Sequence, residues 1–231
     1  MTEIKQELRE IIKSVKAYME AERLAGIDQF YLEPSLEGKL RERPRASGEN
    51  LEQLYREVSE CRQCSLHKHR KNIVVGQGNP RAKLIFVGEA PGREEDLQGL
   101  PFVGKAGTLL TKIIQAMGFQ RQDVYICNIL KCRPPENRNP LPEEIIACQD
   151  YLSQQLEMIK PKVICCLGKF ACFTLLKQDM PISKLRGNFF SYRGIKVMPT
   201  FHPAYLLRNP QAKHLVWQDM QKVMKELGHK Q

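Results

Sequence analysis

The 231-residue chain carries 36 basic and 26 acidic side chains, a formal charge of +10, with 42% hydrophobic and 27% charged residues and a mean hydropathy of −0.42. This balance excludes collagen-like, wholly disordered and integral-membrane classes, since no apolar run approaches the roughly 18 residues that span a bilayer. The charge is uneven: residues 1–50 sum to −1, which leaves +11 on the remainder and points that part towards a polyanionic partner.

In chain order, Ile4, Leu8, Ile11, Ile12, Val15 and Met19 recur at helical spacing with Glu and Lys between them. The pattern predicts an amphipathic helix over 1–25, an N-terminal extension too small to make a core. Residues 26–49, with Pro34, Gly38, Pro44 and Gly48 and no period, read as a linker. The opening residues put charges into every turn and show no secretory signal, so the expected location is the cytoplasm, without membrane contact. From a cap at Asn50, Leu51, Leu54, Tyr55 and Val58 form a short helix face. Strands are then expected at 83–88, 124–128 and 163–167, a hairpin at 189–192 and 195–198, and helices at 106–117, 142–159, 169–176 and 213–227. Unbroken apolar strands alternating with helices predict an α/β fold over 50–231. Its mainly parallel central sheet is covered by helices on both faces, with the active-site rim at the strands' C-terminal ends.

Eight cysteines in a reducing compartment are core thiols, catalytic thiols or metal ligands. Cys127, Cys165 and Cys166 lie inside apolar strands and Cys172 sits among Ala171, Phe173 and Leu175, as buried small hydrophobes do. Cys61 and Cys64 form a C-x2-C pair after a short helix. Cys132 stands on a Pro-rich loop, and Cys148 follows after 15 intervening residues. These four are the candidate ligands, and their spacing suits zinc or a [4Fe–4S] cluster equally. Arg62, His67, Lys68, His69, Arg70 and Lys71 crowd the first pair, as a solvated basic face or as phosphate contacts.

After the first long strand, Gly88, Gly92 and Pro91 precede Glu94, Glu95 and Asp96, and Phe102-Val103-Gly104-Lys105-Ala106-Gly107 leads into a helix. Gly99-x4-Gly104-Lys105-Ala106 nearly matches a phosphate-binding P-loop, but Ala106 stands where Ser or Thr must hold Mg²⁺ and no strand leads directly into Gly99. No nucleotide cofactor is expected.

Several of these elements together resemble the family 4, iron–sulfur, uracil-DNA glycosylases. They are Gly88-Glu89-Ala90-Pro91-Gly92 with the following acidic run, Pro101-Phe102-Val103-Gly104, the four cysteines, Asn128 after the next strand, and the segment from Phe201 to Pro210. The resemblance covers about 51–227, and each element alone is weak. It implies a three-layer α/β/α glycosylase fold and an enzyme that flips deoxyuridine out of DNA. Such an enzyme hydrolyses the N-glycosidic bond, in the first step of base excision repair, and leaves an abasic site. It also implies a structural [4Fe–4S] cluster on Cys61, Cys64, Cys132 and Cys148.

On this resemblance Gly88, Ala90 and Gly92 line the base, Phe102 stacks on it, and Asn128 reads its N3–H and O4. His202 donates to O2 as the base leaves, and Leu207 and Arg208 probe the gap left by the flipped nucleotide. The wider superfamily carries a water-orienting aspartate where Ala90 stands and a thymine-excluding tyrosine where Gly92 stands. The catalytic charge is therefore assigned to Glu89 and the C5 side of the pocket to Glu95. The competing function is an iron–sulfur DNA-binding module without base excision. The N-terminal helix is left for an unknown protein partner, self-association or packing on the domain.

Overall fold

The structure is a computed structural model, and it describes residues 51–178 and 180–229. The expected N-terminal helix, the linker and the Asn50 cap lie outside the described residues. Six strands are ordered β1-β3-β2-β4-β6-β5: β1 Gln77–Gly78, β2 Leu84–Gly88, β3 Tyr125–Asn128, β4 Val163–Leu167, β5 Phe190–Tyr192 and β6 Ile195–Thr200. The four central strands are parallel. The edges β1 and β5 are antiparallel to their neighbours.

The pleat explains the layers. Within β2, Ile85 and Val87 face one core while Leu84 and Phe86 face another; β4 divides likewise, with Ile164 and Cys166 against Val163, Cys165 and Leu167. A strand with both faces covered must be apolar throughout, as both of these are. The first core is closed by α1 Leu51–Ser59, α4 Pro142–Ile159 and α5 Lys169–Leu176. The second is closed by α3 Lys105–Ala116 and α8 Lys213–Leu227. This is the three-layer α/β/α arrangement that the sequence pattern predicts. Cys127, Cys165, Cys166 and Cys172 are all at most 1% exposed.

Three short helices and a two-residue strand have no periodic signal in the sequence: α2 Arg93–Gln98, α6 Ile182–Leu185, α7 Pro203–Arg208 and β1. Two of them, α2 and α7, sit directly after parallel strands and shape the site. Among the described residues no helix is long and apolar enough to cross a membrane.

Candidate active site

One cleft opens over the C-terminal ends of β2, β3 and β6, where open parallel sheets bind ligands. Glu89, Ala90, Gly92, Glu95, Phe102, Asn128, His202 and Arg208 all line it. Of the other residues expected there, Gly88 lies beneath the cleft, and Leu207, 44% exposed, projects from α7 beside it.

Gly88 shows why no side chain is tolerated at the end of β2. A Cβ there would stand 2.4 Å from Asn128 Oδ1 and 2.5 Å from Phe102 Cζ. The bare Cα therefore lets the amide and the aromatic ring meet over the sheet. Asn128 is 1% exposed, and its Oδ1 is buried with no hydrogen-bond partner. Such an acceptor is costly unless a ligand donates to it. The Phe102 ring lies 5.6 Å from the His202 ring, tilted by 32°.

Phe102 itself has φ 53°, an uncommon backbone state for an aromatic residue, and it is held from two sides. Arg121, from the α3–β3 turn, donates to the Pro101 carbonyl at 2.8 Å and the Phe102 carbonyl at 3.2 Å. Glu95 accepts from the amides of Gly92 at 3.1 Å and of Val103 and Gly104 at 2.9 Å each. Glu95 thus lines the pocket, but its carboxylate is engaged in cinching the loop. It fills the space beside Gly92, where an added Cβ would meet Glu95 Oε2 at 2.8 Å. It also takes the Val103 and Gly104 N–H groups just before α3 begins.

His202 caps α7: its Nδ1 accepts from the Ala204 amide at 3.1 Å. That bond fixes the tautomer with the proton on Nε2. Burial, reinforced by Arg208 and opposed by Glu95, pushes the imidazole down to about 4, so it is a neutral N–H donor at physiological pH. Burial also raises the Glu89 carboxyl to about 6, and among the described residues no donor bonds to it.

On the other side of β3, Cys61, Cys64, Cys132 and Cys148 line a single small cavity. Arg70 Nη1 donates to Cys132 Sγ at 3.2 Å, and the backbone amides of Leu66 and Lys131 bond to the Cys64 and Cys148 sulfurs. Burial pushes the Cys148 thiol up to about 12 and raises Cys64 and Cys132, so without a cation these sulfurs stay protonated. Among the described residues no set of three His, Cys, Asp or Glu side chains is arranged to hold one metal ion. The chain between Cys132 and Cys148 returns to the cleft, where Pro134, Asn137, Arg138 and Asn139 form a wall. The bidentate pair of Arg138 with buried Glu144, at 2.6 and 2.9 Å, pins that wall. Neither the wall nor the Arg121 brace was expected from sequence, since scattered polar residues on a Pro-rich loop carry no period.

The model of the uracil DNA glycosylase superfamily matches residues 75–222, more than half of the chain. The chain belongs to that superfamily. It is 47% identical over 191 residues to the type-4 uracil-DNA glycosylase of Archaeoglobus fulgidus, covering 79% of this chain and 96% of that one. It is 50% identical over 169 residues to the type-4 uracil-DNA glycosylase of Thermotoga maritima, covering 71% of this chain and 88% of that one. With the enzyme of that type from Saccharolobus solfataricus the identity is 44% over 191 residues, covering 79% and 88%. Within the uracil-DNA glycosylase superfamily this chain therefore stands with the type-4 members. Its cleft lies inside the matched region.

Proposed function

We propose that this chain is a monofunctional uracil-DNA glycosylase that hydrolyses the N-glycosidic bond of deoxyuridine in DNA. The observation that carries this reading is the unpartnered, buried Oδ1 of Asn128, set beside an aromatic face and a neutral imidazole donor. Uracil offers N3–H to that oxygen and takes the amide N–H at O4, whereas cytosine presents the opposite pattern. Phe102 stacks on the flipped base, and Ala90 and Gly92 line the space around it. Glu95 walls the C5 side and holds the loop.

As the C1′–N1 bond breaks, its electron pair passes to the base and charge collects on O2. His202 Nε2–H is the donor able to meet it without first giving up a proton. Glu89, without a fixed donor, is the group that polarises the attacking water and offsets the cationic sugar. The water proton leaves through Glu89 to solvent, and the released uracil anion is reprotonated. Leu207 and Arg208, at the end of α7 beside the cleft, probe the gap left by the flipped nucleotide. The net positive charge supplies the phosphate contacts.

The four cysteines fit a [4Fe–4S] cluster. They come from three separate segments, surround one cavity rather than one point, and receive N–H donors at three of the sulfurs, as cluster thiolates do. Bound there, the cluster acts as a structural cross-link. Anaerobically purified protein should be brown with broad visible absorption and contain about four irons per chain. Stoichiometric zinc without iron overturns this assignment.

Release of free uracil from a uracil-containing oligonucleotide separates the glycosylase from a DNA-binding module, which releases none. Within the pocket, Asn128→Asp places an acceptor where a donor to O4 is needed, at a cost of about 1–3 kcal/mol. Single-turnover uracil release should fall about 10- to 100-fold and discrimination against cytosine should narrow. Equal rates for both proteins on both bases would remove Asn128 from the site.

A further inference from the structure

Lys131 lies between the base pocket and the cysteine cavity, and the chemistry of neither site has used it. It is 1% exposed. Its ammonium donates to the Asn128 carbonyl at 2.7 Å and to Gln155 Oε1 at 2.6 Å. Both acceptors are neutral, and among the described residues no Asp or Glu pairs with it. An ammonium removed from water in this way is strongly disfavoured unless anionic charge lies close by. With the proposed cluster bound, the anionic charge within its reach is the ligand sulfur. Burial raises the thiols of Cys148 and Cys127 and the Lys131 charge works against that rise; its own backbone N–H bonds to the Cys148 sulfur, and it lines the cavity that the four candidate ligands share.

The other end of this arrangement is the base-reading amide. Oδ1 of Asn128 has no protein partner, so the side chain is aimed by the position of its own backbone. That backbone is fixed where β3 ends, by pairing with Gly88 and by the Lys131 ammonium on its carbonyl. The second Lys131 acceptor is equally well anchored. Gln155 donates to the Val75 carbonyl at 2.9 Å and to the Tyr125 hydroxyl at 3.0 Å, and that hydroxyl lies 2.6 Å from the hydroxyl of Tyr55.

We propose that Lys131 is a positioning residue that couples the two sites. Anionic sulfur of the cysteine centre holds its charge in the interior, and its ammonium fixes the Asn128 carbonyl and with it the amide that reads uracil. This rests on the proposed function above. It makes the cysteine centre part of base recognition as well as a cross-link.

The test compares full-length, iron-loaded wild type, Lys131→Met, Lys131→Gln, Asn128→Ala and the double variant of Lys131→Met with Asn128→Ala. Lys131→Met should slow single-turnover uracil release about tenfold and narrow the preference for uracil over cytosine. In the Asn128→Ala background the same change should add less than about twofold, because the two residues act as one unit. Independently of activity, losing a positive charge beside the sulfurs should move the midpoint potential of the cluster to more negative values. Lys131→Gln, neutral but still able to donate to the Asn128 carbonyl, should recover most of the uracil rate and keep the lowered potential. That split is one a merely structural residue would not give. Losses that multiply in the double variant, or a potential that does not move in either Lys131 variant, overturn the coupling. If Lys131→Met does not fold, the potential and rate of Lys131→Gln decide by the same criteria. A wild type that releases no uracil overturns the underlying reading, and the coupling with it, before any variant is compared.

Discussion

Replacing His202 by alanine should lower single-turnover uracil release by about 10²–10³ while DNA affinity, set by phosphate contacts, barely changes. The size follows from the geometry: the ring is buried, its tautomer is fixed by the Ala204 amide, and its N–H needs no reorganisation when charge appears on O2. Because burial holds His202 near 4, its protonation does not limit the rate near neutrality. In the proposed mechanism the acid limb of the rate profile belongs to Glu89, which acts ionised and which burial raises to about 6. The wild-type rate should therefore fall below about pH 6, and Glu89→Gln should lose that limb along with most of the activity.

Stability should respond in opposite senses at these two groups. Glu89 binds its proton more tightly folded than unfolded, so its contribution is lost as pH rises from 4.5 towards about 6 and stays lost above. Glu89→Gln should accordingly stabilise the protein at neutral pH, by about 1 kcal/mol once solvent screening at the cleft is allowed for. His202, depressed from 6.5 to about 4, costs stability as pH falls through that interval. Rate and melting measured across pH 4–8 on the single variants check both signs. A His202→Ala protein that binds DNA poorly but turns over normally when saturated would make His202 a binding residue only.

The second large effect is expected at Gly107, in the first turn of α3. By helix propensity alone, alanine there should stabilise by about 1 kcal/mol. The surroundings reverse the sign: an added Cβ would stand 1.8 Å from the Phe102 carbonyl oxygen and 2.0 Å from its carbon. These are backbone atoms, braced by Arg121, and they cannot yield as a flexible side-chain tip would. Gly107→Ala should destabilise by about 1–3 kcal/mol and displace the ring that stacks on the base. The melting temperature should drop and uracil release should slow more than DNA binding does. An unchanged melting temperature with full activity would show that the start of α3 can move freely against Phe102.

The parallel core was legible because burial on both faces forces continuous apolar runs. Leu84 to Gly88 and Val163 to Leu167 could be read directly, and the helices at Pro142–Ile159 and Lys213–Leu227 have the expected bounds. The short helices α2 and α7 were missed because six residues give less than two turns of pattern, and the rim of a site is built from such pieces. Among the cysteines, the contrast between apolar strands and a Pro-rich loop separated the four lining the cavity from the four in the core. Pairwise polar contacts were not legible. Lys131 and Arg121 have no part in the sequence reading, and Glu95 is assigned there to the C5 side of the pocket, with no sign of the loop amides it holds. Each owes its role to a partner distant in sequence or to backbone amides that no residue pattern reveals.

The internal carboxylate at the start of α3 also determines which solutes can compete for the site. Glu95 occupies the Val103 and Gly104 amides from within the loop, so neither of these two donors is open to dissolved phosphate or a free nucleotide. In the proposed function a nucleotide is then held through its base at Asn128 and Phe102, and its phosphates are left to the rim.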